Sequence, residues 1–177
     1  MNVTFLIGNG FDLGIGLKTA YTDFFAVYCS KKEGDTPLID SFKKQLQDDY
    51  ETWSDFEKAF GEYASQALDA DCYLKVFEDF EVAFSDYLRN EEENFDNSKI
   101  ELIAEKMKTA LISYYDIRPA DREALVKSIN GRQATFNFIS FNYTKCLDEC
   151  VGILRRQPDY VNSIRGNIQK LVHVHGY

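Results

Sequence analysis

The residues with the clearest chemical potential are four glycines that directly follow a strand-like run at the start of the chain. The run is Val3–Ile7, and the glycines are Gly8, Gly10, Gly14 and Gly16. An unbroken run of β-branched and aromatic residues predicts a buried strand. A Gly-x-Gly turn after such a strand lets backbone N–H groups approach an anion. The pattern predicts a phosphate-binding turn, although its third glycine comes one residue later than in G-x-G-x-x-G. A glycine-rich turn without a ligand is the alternative.

Thiol and imidazole groups offer a second possible chemistry. Cys146 and Cys150 are four residues apart, on one face of a predicted helix, and His173 and His175 alternate on one face of a predicted strand. Together they offer four zinc ligands, but their spacing does not match a compact C-x-x-C site, and we expect no metal. The cysteines are scattered along the chain, which favours reduced thiols in a cytosolic protein over disulfides.

The elements that must position the glycine turn alternate between strand and helix. A second strand is predicted over 134–141 and a short third strand over 171–174, with a helix between them. Strands separated by helices favour a parallel sheet, and ligands gather at the carboxyl ends of its strands. Segments 8–16, 142–144 and 175–176 all follow strand ends, so we expect them to meet at one edge of the sheet.

Two parts of different composition are predicted. Residues 1–30 and 131–177 form an α/β, Rossmann-like nucleotide-binding core with a small parallel sheet, and 37–130 form a large all-helical insertion. Residues 41–100 carry 6 basic and 16 acidic side chains, a net charge of −10, whereas the whole chain carries −9. We interpret this acidity as a solvated helical face that keeps the protein soluble.

Aromatic and aliphatic residues recur at intervals of three and four along the predicted insertion, as on the apolar face of a helix. The stripes are Trp53, Phe56, Phe60, Tyr63 and Ala67; Tyr73, Phe77, Phe80, Phe84 and Tyr87; and Ile100, Ile103, Met107, Leu111 and Tyr114. We interpret them as helix-packing core, with an aromatic ligand groove as the alternative. A polar break is predicted over 90–98, and Thr19 or Thr22 is expected to cap a helix over 20–29.

Composition narrows the classes of function. No run approaches 18 apolar residues, so no membrane span is expected. The start of the chain lacks the pattern of a secretory signal, and cytoplasmic residence follows as the expectation. Direct nucleic-acid binding is disfavoured because the acidic middle would repel a phosphate backbone. No tight acidic cluster for two metals is visible, which ranks a nuclease last.

The ordered motifs of the whole chain resemble the bacteriophage abortive-infection AbiH family. They are Gly8-Asn9-Gly10-Phe11-Asp12-Leu13, Gly16-Leu17-Lys18-Thr19-Ala20-Tyr21 with Phe24, Trp53-x-x-Phe56-Glu57, Phe141-Asn142-Tyr143-Thr144 and Val172-His173-Val174-His175-Gly176. The same order is similar to a distant sirtuin-type NAD-binding domain. Lys18 stands where we expect proline in most relatives. Thr144 stands where sirtuins carry aspartate, and the four-cysteine zinc ribbon is missing, so cleavage of NAD fits better than lysine deacetylation.

These resemblances imply roles for named residues. Gly8, Asn9, Gly10, Phe11 and Thr144 would bind NAD or a related nucleotide, with the pyrophosphate on the glycine turn. The catalytic set would be Asn142, His175 and Asp12. Asn142 would hold the ribose or a water, and Asp12 would stabilise the cationic ribose. His175 would act as general base, since an imidazole with a pKa of about 6.5 suits that role.

Alternatives remain for several of these residues. Asp12 is equally suited to capping a helix, and His175 to closing a strand end. We interpret His173 as a packed core residue rather than one that orients His175, and we interpret Trp53 and Glu57 as structural.

The implied function is phage defence through an NAD glycohydrolase activity, with NAD as substrate or ligand. The alternative is a non-catalytic nucleotide sensor or interaction module of a phage-defence system. The family pattern implies chain beyond the His-Gly strand, whereas this sequence stops at Tyr177. One wall of the cleft is therefore expected to come from a missing segment or from another copy in a homo-oligomer.

Overall fold

Three strands form one parallel sheet in the order β1 (Asn2–Ile7), β2 (Ala134–Ser140), β3 (Gly166–His173). The prediction of a small parallel sheet in an α/β fold is confirmed, while its Rossmann-like classification stays a prediction. Ile7 lies opposite Ser140, and Ser140 lies opposite His173. The three strands therefore end at the same edge of the sheet.

The structure is a computed structural model that describes residues 2–31, 36–48, 56–113, 117–129, 134–156 and 166–174. Most of these residues are helical. The helices are α1 (Gly10–Ile15), α2 (Tyr21–Ser30), α3 (Pro37–Asp48), α4 (Phe56–Gln66), α5 (Ala70–Glu93), α6 (Ile100–Ser113), α7 (Pro119–Ile129) and α8 (Cys146–Arg156). The chain divides into one unit of 1–17 with 94–177, which contains the sheet, and a second unit of 18–93. The predicted division into 1–30 with 131–177 and 37–130 stays a prediction.

The third strand begins at Gly166 rather than at Leu171, where the sequence pattern placed it. Its register with β2 shifts after Phe136, so that Ile168 and Leu171 both pack against the core although they are three residues apart. This is the signature of a β-bulge, which interrupts the alternation on which strand prediction depends. Glycine is required at 166 because a Cβ there would lie 2.5 Å from the carbonyl oxygen of Ala134.

One face of the sheet is covered by α8. The helix buries Leu147, Cys150 and Val151 beside Phe136 and Phe138 of β2, and all five are at most 1% exposed. Acidic residues in its first turn and arginines in its last turn complement the helix dipole. Because α8 follows β2 along the chain, its first turn lies near the carboxyl end of β2.

The opposite face of the sheet is partly exposed in the part of the chain that the structure describes. Leu6, Ile139 and Val172 lie side by side in register on it, and Leu6 is 69% exposed and Val172 is 50% exposed. Parallel sheets are usually covered on both faces. The exposed row is therefore an unusual feature of this unit.

The second unit is held together by aromatic side chains. Phe24, Phe42 and Phe80 are at most 2% exposed, and the Phe24 and Phe80 rings meet edge to face at 5.0 Å. The interpretation of the aromatic stripes as core is confirmed for most of the described side chains, whereas Phe77 is 38% exposed. Trp53 and Tyr114 lie outside the described residues, as do the side chains of Phe56 and Glu57.

Two helix boundaries differ from prediction. Ala20 occupies the N-cap position of α2 and no side chain caps it, so the expected cap by Thr19 or Thr22 is wrong. The polar break begins at Asn94 rather than Asn90, because α5 continues through the acidic residues to Glu93. Glutamate has good helix propensity, which allows the helix to extend through them.

Candidate functional site

The carboxyl ends of the three strands are joined by backbone hydrogen bonds. The amide of Phe141, just after β2, donates to the carbonyl of Ile7 at the end of β1 (2.8 Å). The amide of Val174, just after β3, donates to the carbonyl of Ser140 (2.9 Å). These bonds hold the glycine turn, the loop 141–145 and the end of β3 at one edge, as expected for ligand sites of parallel sheets.

The glycine turn passes directly into α1. The amide of Phe11 donates to the Gly8 carbonyl (2.9 Å), and the helix begins at Gly10. A Cβ added at Gly8 or Gly10 would meet nothing within 4 Å, so the backbone of this turn faces open space. Gly16 is different, because its φ of 97° ends the helix in a left-handed conformation that favours glycine. Since α1 has six residues, attraction for an anion depends mainly on the N–H groups of the turn.

Asp12 lies in the first turn of α1 and is fully buried. Its Oδ2 accepts a hydrogen bond from the hydroxyl of Thr144 at 2.9 Å. The N-cap position of α1 is Asn9, whose side chain makes no cap hydrogen bond. The alternative that Asp12 caps a helix is therefore wrong, and its contact with Thr144 was not anticipated.

Asn142 is the most unusual polar residue at the edge. It is 0% exposed, and its backbone amide donates to the Ser140 hydroxyl at 3.2 Å. Within the described part of the chain, neither its side-chain nitrogen nor its side-chain oxygen has a hydrogen-bond partner. A buried amide without a partner costs about 1–3 kcal/mol. Such a cost is more often found at functional sites than elsewhere.

Of the two histidines that the sequence singled out, the structure describes His173. His175 lies outside the described residues. The ring of His173 faces α8, and its Nε2 lies 3.0 Å from Oδ1 of Asp148. His173 thus has a carboxylate partner at the edge of the core, a contact that sequence reasoning missed. Asp148 lies in the first turn of α8, shortly after β2 ends. This place near a strand end was the one signal in the sequence that could have suggested Asp148 as a residue of the site.

A groove of about 360 Å³ lies along α8. The described residues that line it are Ile100, Lys145, Asp148, Glu149, Gly152, Ile153 and Arg156. They include the carboxylate that pairs with His173 but no residue of the glycine turn. The groove is therefore a neighbouring feature on α8, and it does not contain the predicted site.

The pair Cys146 and Cys150 lies in the core on the buried face of α8. Burial raises the pKa of the Cys150 thiol to about 12, which disfavours the thiolate that metals bind. Among the described residues, no group of three metal-type side chains comes together. His175, the fourth proposed ligand, lies outside them.

The fold is thus a mixed α/β fold with a parallel sheet whose carboxyl edge presents a glycine turn and a buried amide. Residues 4–177 match the family model described as Bacteriophage abortive infection AbiH. The chain therefore belongs to the AbiH family, and the family indicates a role in abortive-infection phage defence.

The comparisons with curated proteins and with solved structures gave no match. Across the described residues, the helices lack the combination of length and apolar composition that crossing a bilayer needs.

Proposed function

We propose that the protein serves phage defence by binding a nucleotide at the carboxyl edge of its sheet and hydrolysing NAD there. The observation that carries this proposal is the buried Asn142 side chain, whose amide has no partner in the described part of the chain. The neighbouring glycine turn supports it, since a Cβ added at Gly8 or Gly10 would meet nothing within 4 Å. Backbone N–H groups in such a turn suit a pyrophosphate.

The proposed reaction transfers the ribosyl group of NAD to water. The bond between the nicotinamide nitrogen and C1′ of the ribose breaks, and its electron pair leaves with nicotinamide. The water oxygen forms the new bond to C1′, and its proton passes to a base, giving ADP-ribose. His175 follows the end of β3 and is the residue proposed as that base.

Asn142 has a matching role in this proposal. Its amide offers two N–H donors and one carbonyl acceptor, enough to hold a ribose hydroxyl or the attacking water. Because the side chain is itself fully buried in the loop between β2 and α8, its orientation is restricted before any ligand binds. Restricted orientation of this kind lowers the entropic cost of reaching the reactive geometry.

The test is incubation of the protein with NAD, with and without a phage lysate as trigger, and measurement of released nicotinamide. His175→Ala and Asn142→Ala should abolish release while the far-UV circular dichroism stays unchanged. Asn137→Ala is the matched control, because Asn137 is a partly buried asparagine of β2 in the same sheet. A folded His175→Ala variant with full activity would remove the catalytic assignment.

The second candidate is a nucleotide sensor that binds without hydrolysis. It is favoured by the hydrogen bond that the buried carboxylate of Asp12 accepts from Thr144, which gives Asp12 a role in holding the fold. Without Asp12, the proposed catalytic set contains one amide and one histidine. Calorimetric binding of NAD with no nicotinamide release under any trigger would select the sensor.

A further inference from the structure

The loop that carries Asn142 is held on both sides by buried hydroxyl groups. Two residues before Asn142, the Ser140 hydroxyl accepts a hydrogen bond from the backbone amide of Asn142 (3.2 Å). Two residues after it, the Thr144 hydroxyl donates to Asp12 (2.9 Å). Ser140 and Asp12 are 0% exposed and Thr144 is 1% exposed. Hydrogen bonds shielded from water in this way hold their groups in one geometry.

Asp12 is connected to the glycine turn through the backbone of α1. It lies in α1 two residues after Gly10, and its backbone carbonyl accepts from the Leu17 amide (3.0 Å). The turn itself is closed by the bond from the Phe11 amide to the Gly8 carbonyl. A displacement of the Asp12 side chain would therefore be transmitted to the backbone of the turn.

We propose that Asp12 is a positioning residue, whose hydrogen bond from Thr144 fixes the Asn142 loop against the glycine turn. This bond joins positions 132 residues apart in the sequence, so it sets the distance between the two parts of the proposed site. The inference rests on the proposed function, because it treats the glycine turn and the Asn142 loop as one nucleotide site. It gives Asp12 a positioning role in place of contact with the reacting ribose, because its Oδ2 accepts the hydrogen bond from Thr144.

The test compares conservative and disruptive variants at both ends of the bond. Asp12→Asn and Thr144→Ser keep groups that can form the hydrogen bond, because a hydroxyl both donates and accepts. Asp12→Ala and Thr144→Val lose it, and we expect NAD affinity and turnover per folded molecule to fall about tenfold. The conservative variants should recover most of that loss, and the double variant Asp12→Ala with Thr144→Val should be no weaker than Asp12→Ala alone.

Other outcomes overturn the inference. If Asp12→Asn is as inactive as Asp12→Ala while Thr144→Val is active, the charge of Asp12 acts directly on the ligand. If all four variants change the melting temperature but leave affinity and turnover per folded molecule at the wild-type value, the bond is merely structural.

A readout that needs no nucleotide separates this inference from the proposed function. In ¹H–¹⁵N spectra, Thr144→Val should shift the amide signals of Gly8 and Gly10, and Thr144→Ser should shift them less. Should these shifts occur in a protein that neither binds nor cleaves NAD, the positioning role stands and the proposed function fails. Unmoved Gly8 and Gly10 signals in a folded Thr144→Val protein would overturn the positioning role itself.

Discussion

Replacing Asn142 by leucine should make the protein more stable and unable to bind nucleotide. Leucine branches at Cγ as asparagine does, so it fits the same buried space with little change in shape. The side-chain nitrogen and oxygen of Asn142 are both buried and without a partner among the described residues. Since a buried amide without a partner costs about 1–3 kcal/mol, we expect Asn142→Leu to raise the free energy of unfolding by about 2 kcal/mol.

The assay is urea and thermal unfolding of wild type and variant in the same buffer. For a chain of this size, 2 kcal/mol corresponds to a rise in melting temperature of about 4–8 °C. Asn137→Leu is the matched control, since Asn137 is partly buried on the partly exposed face of the sheet and its replacement should change stability by less than about 0.5 kcal/mol. NAD at a hundred times its dissociation constant should add about 2.7 kcal/mol to the wild type and nothing to Asn142→Leu.

The refuting result is a loss of stability. If Asn142→Leu lowers the free energy of unfolding by 1 kcal/mol or more, the amide forms hydrogen bonds within the folded protein itself. Asn142 would then be a structural residue, and the observation behind the proposed function would be lost.

Three further predictions concern the scaffold. Gly166→Ala should lower the free energy of unfolding by about 1–3 kcal/mol in urea titrations, because its Cβ would clash with Ala134; a neutral effect would contradict the close approach of β3. Burial and the neighbouring carboxylates of Glu91 and Asp23 raise the pKa of Tyr87 to about 12, so the folded state keeps this proton more tightly than the unfolded state. Stability should therefore be lost as the pH rises from about 10 to about 12, and Tyr87→Phe should flatten that loss in alkaline unfolding curves. Burial raises the pKa of Cys150 to about 12, so iodoacetamide at pH 8 should label it only after unfolding, as read by mass spectrometry; rapid labelling of the native protein would contradict its burial.

The sequence was sufficient to predict the elements whose patterns are local. The strand-like run before Gly8 and the aromatic periodicity of α5 each depend on neighbouring residues, and the predicted strand and helix are both confirmed. The prediction that the strand is buried is wrong, because its residues alternate between exposed and half-buried and Leu6 is 69% exposed. The third strand was predicted only in part, because the register shift opposite Phe136 and Asn137 breaks the alternation of apolar residues. A bulge depends on the partner strand, and its position cannot be read from one strand alone.

Contacts between distant residues were the least predictable. The sequence suggested that Asp12 caps a helix, because an acidic side chain near a helix start usually accepts hydrogen bonds from the N–H groups of the first turn. Its actual partner, Thr144, is distant in the sequence and becomes a neighbour only when β1 and β2 pair. The His173–Asp148 pair has the same origin, since it requires α8 to lie on β3. Side-chain pairing across elements follows from the tertiary fold, and the sequence pattern shows only the elements.

The most direct measurement of the central claim is calorimetric titration of NAD into wild type and Asn142→Leu. We expect a saturable isotherm with one site for the wild type and no detectable binding for the stable, folded variant. Equal isotherms for the two proteins, or no heat of binding for the wild type with or without a phage lysate, would contradict it.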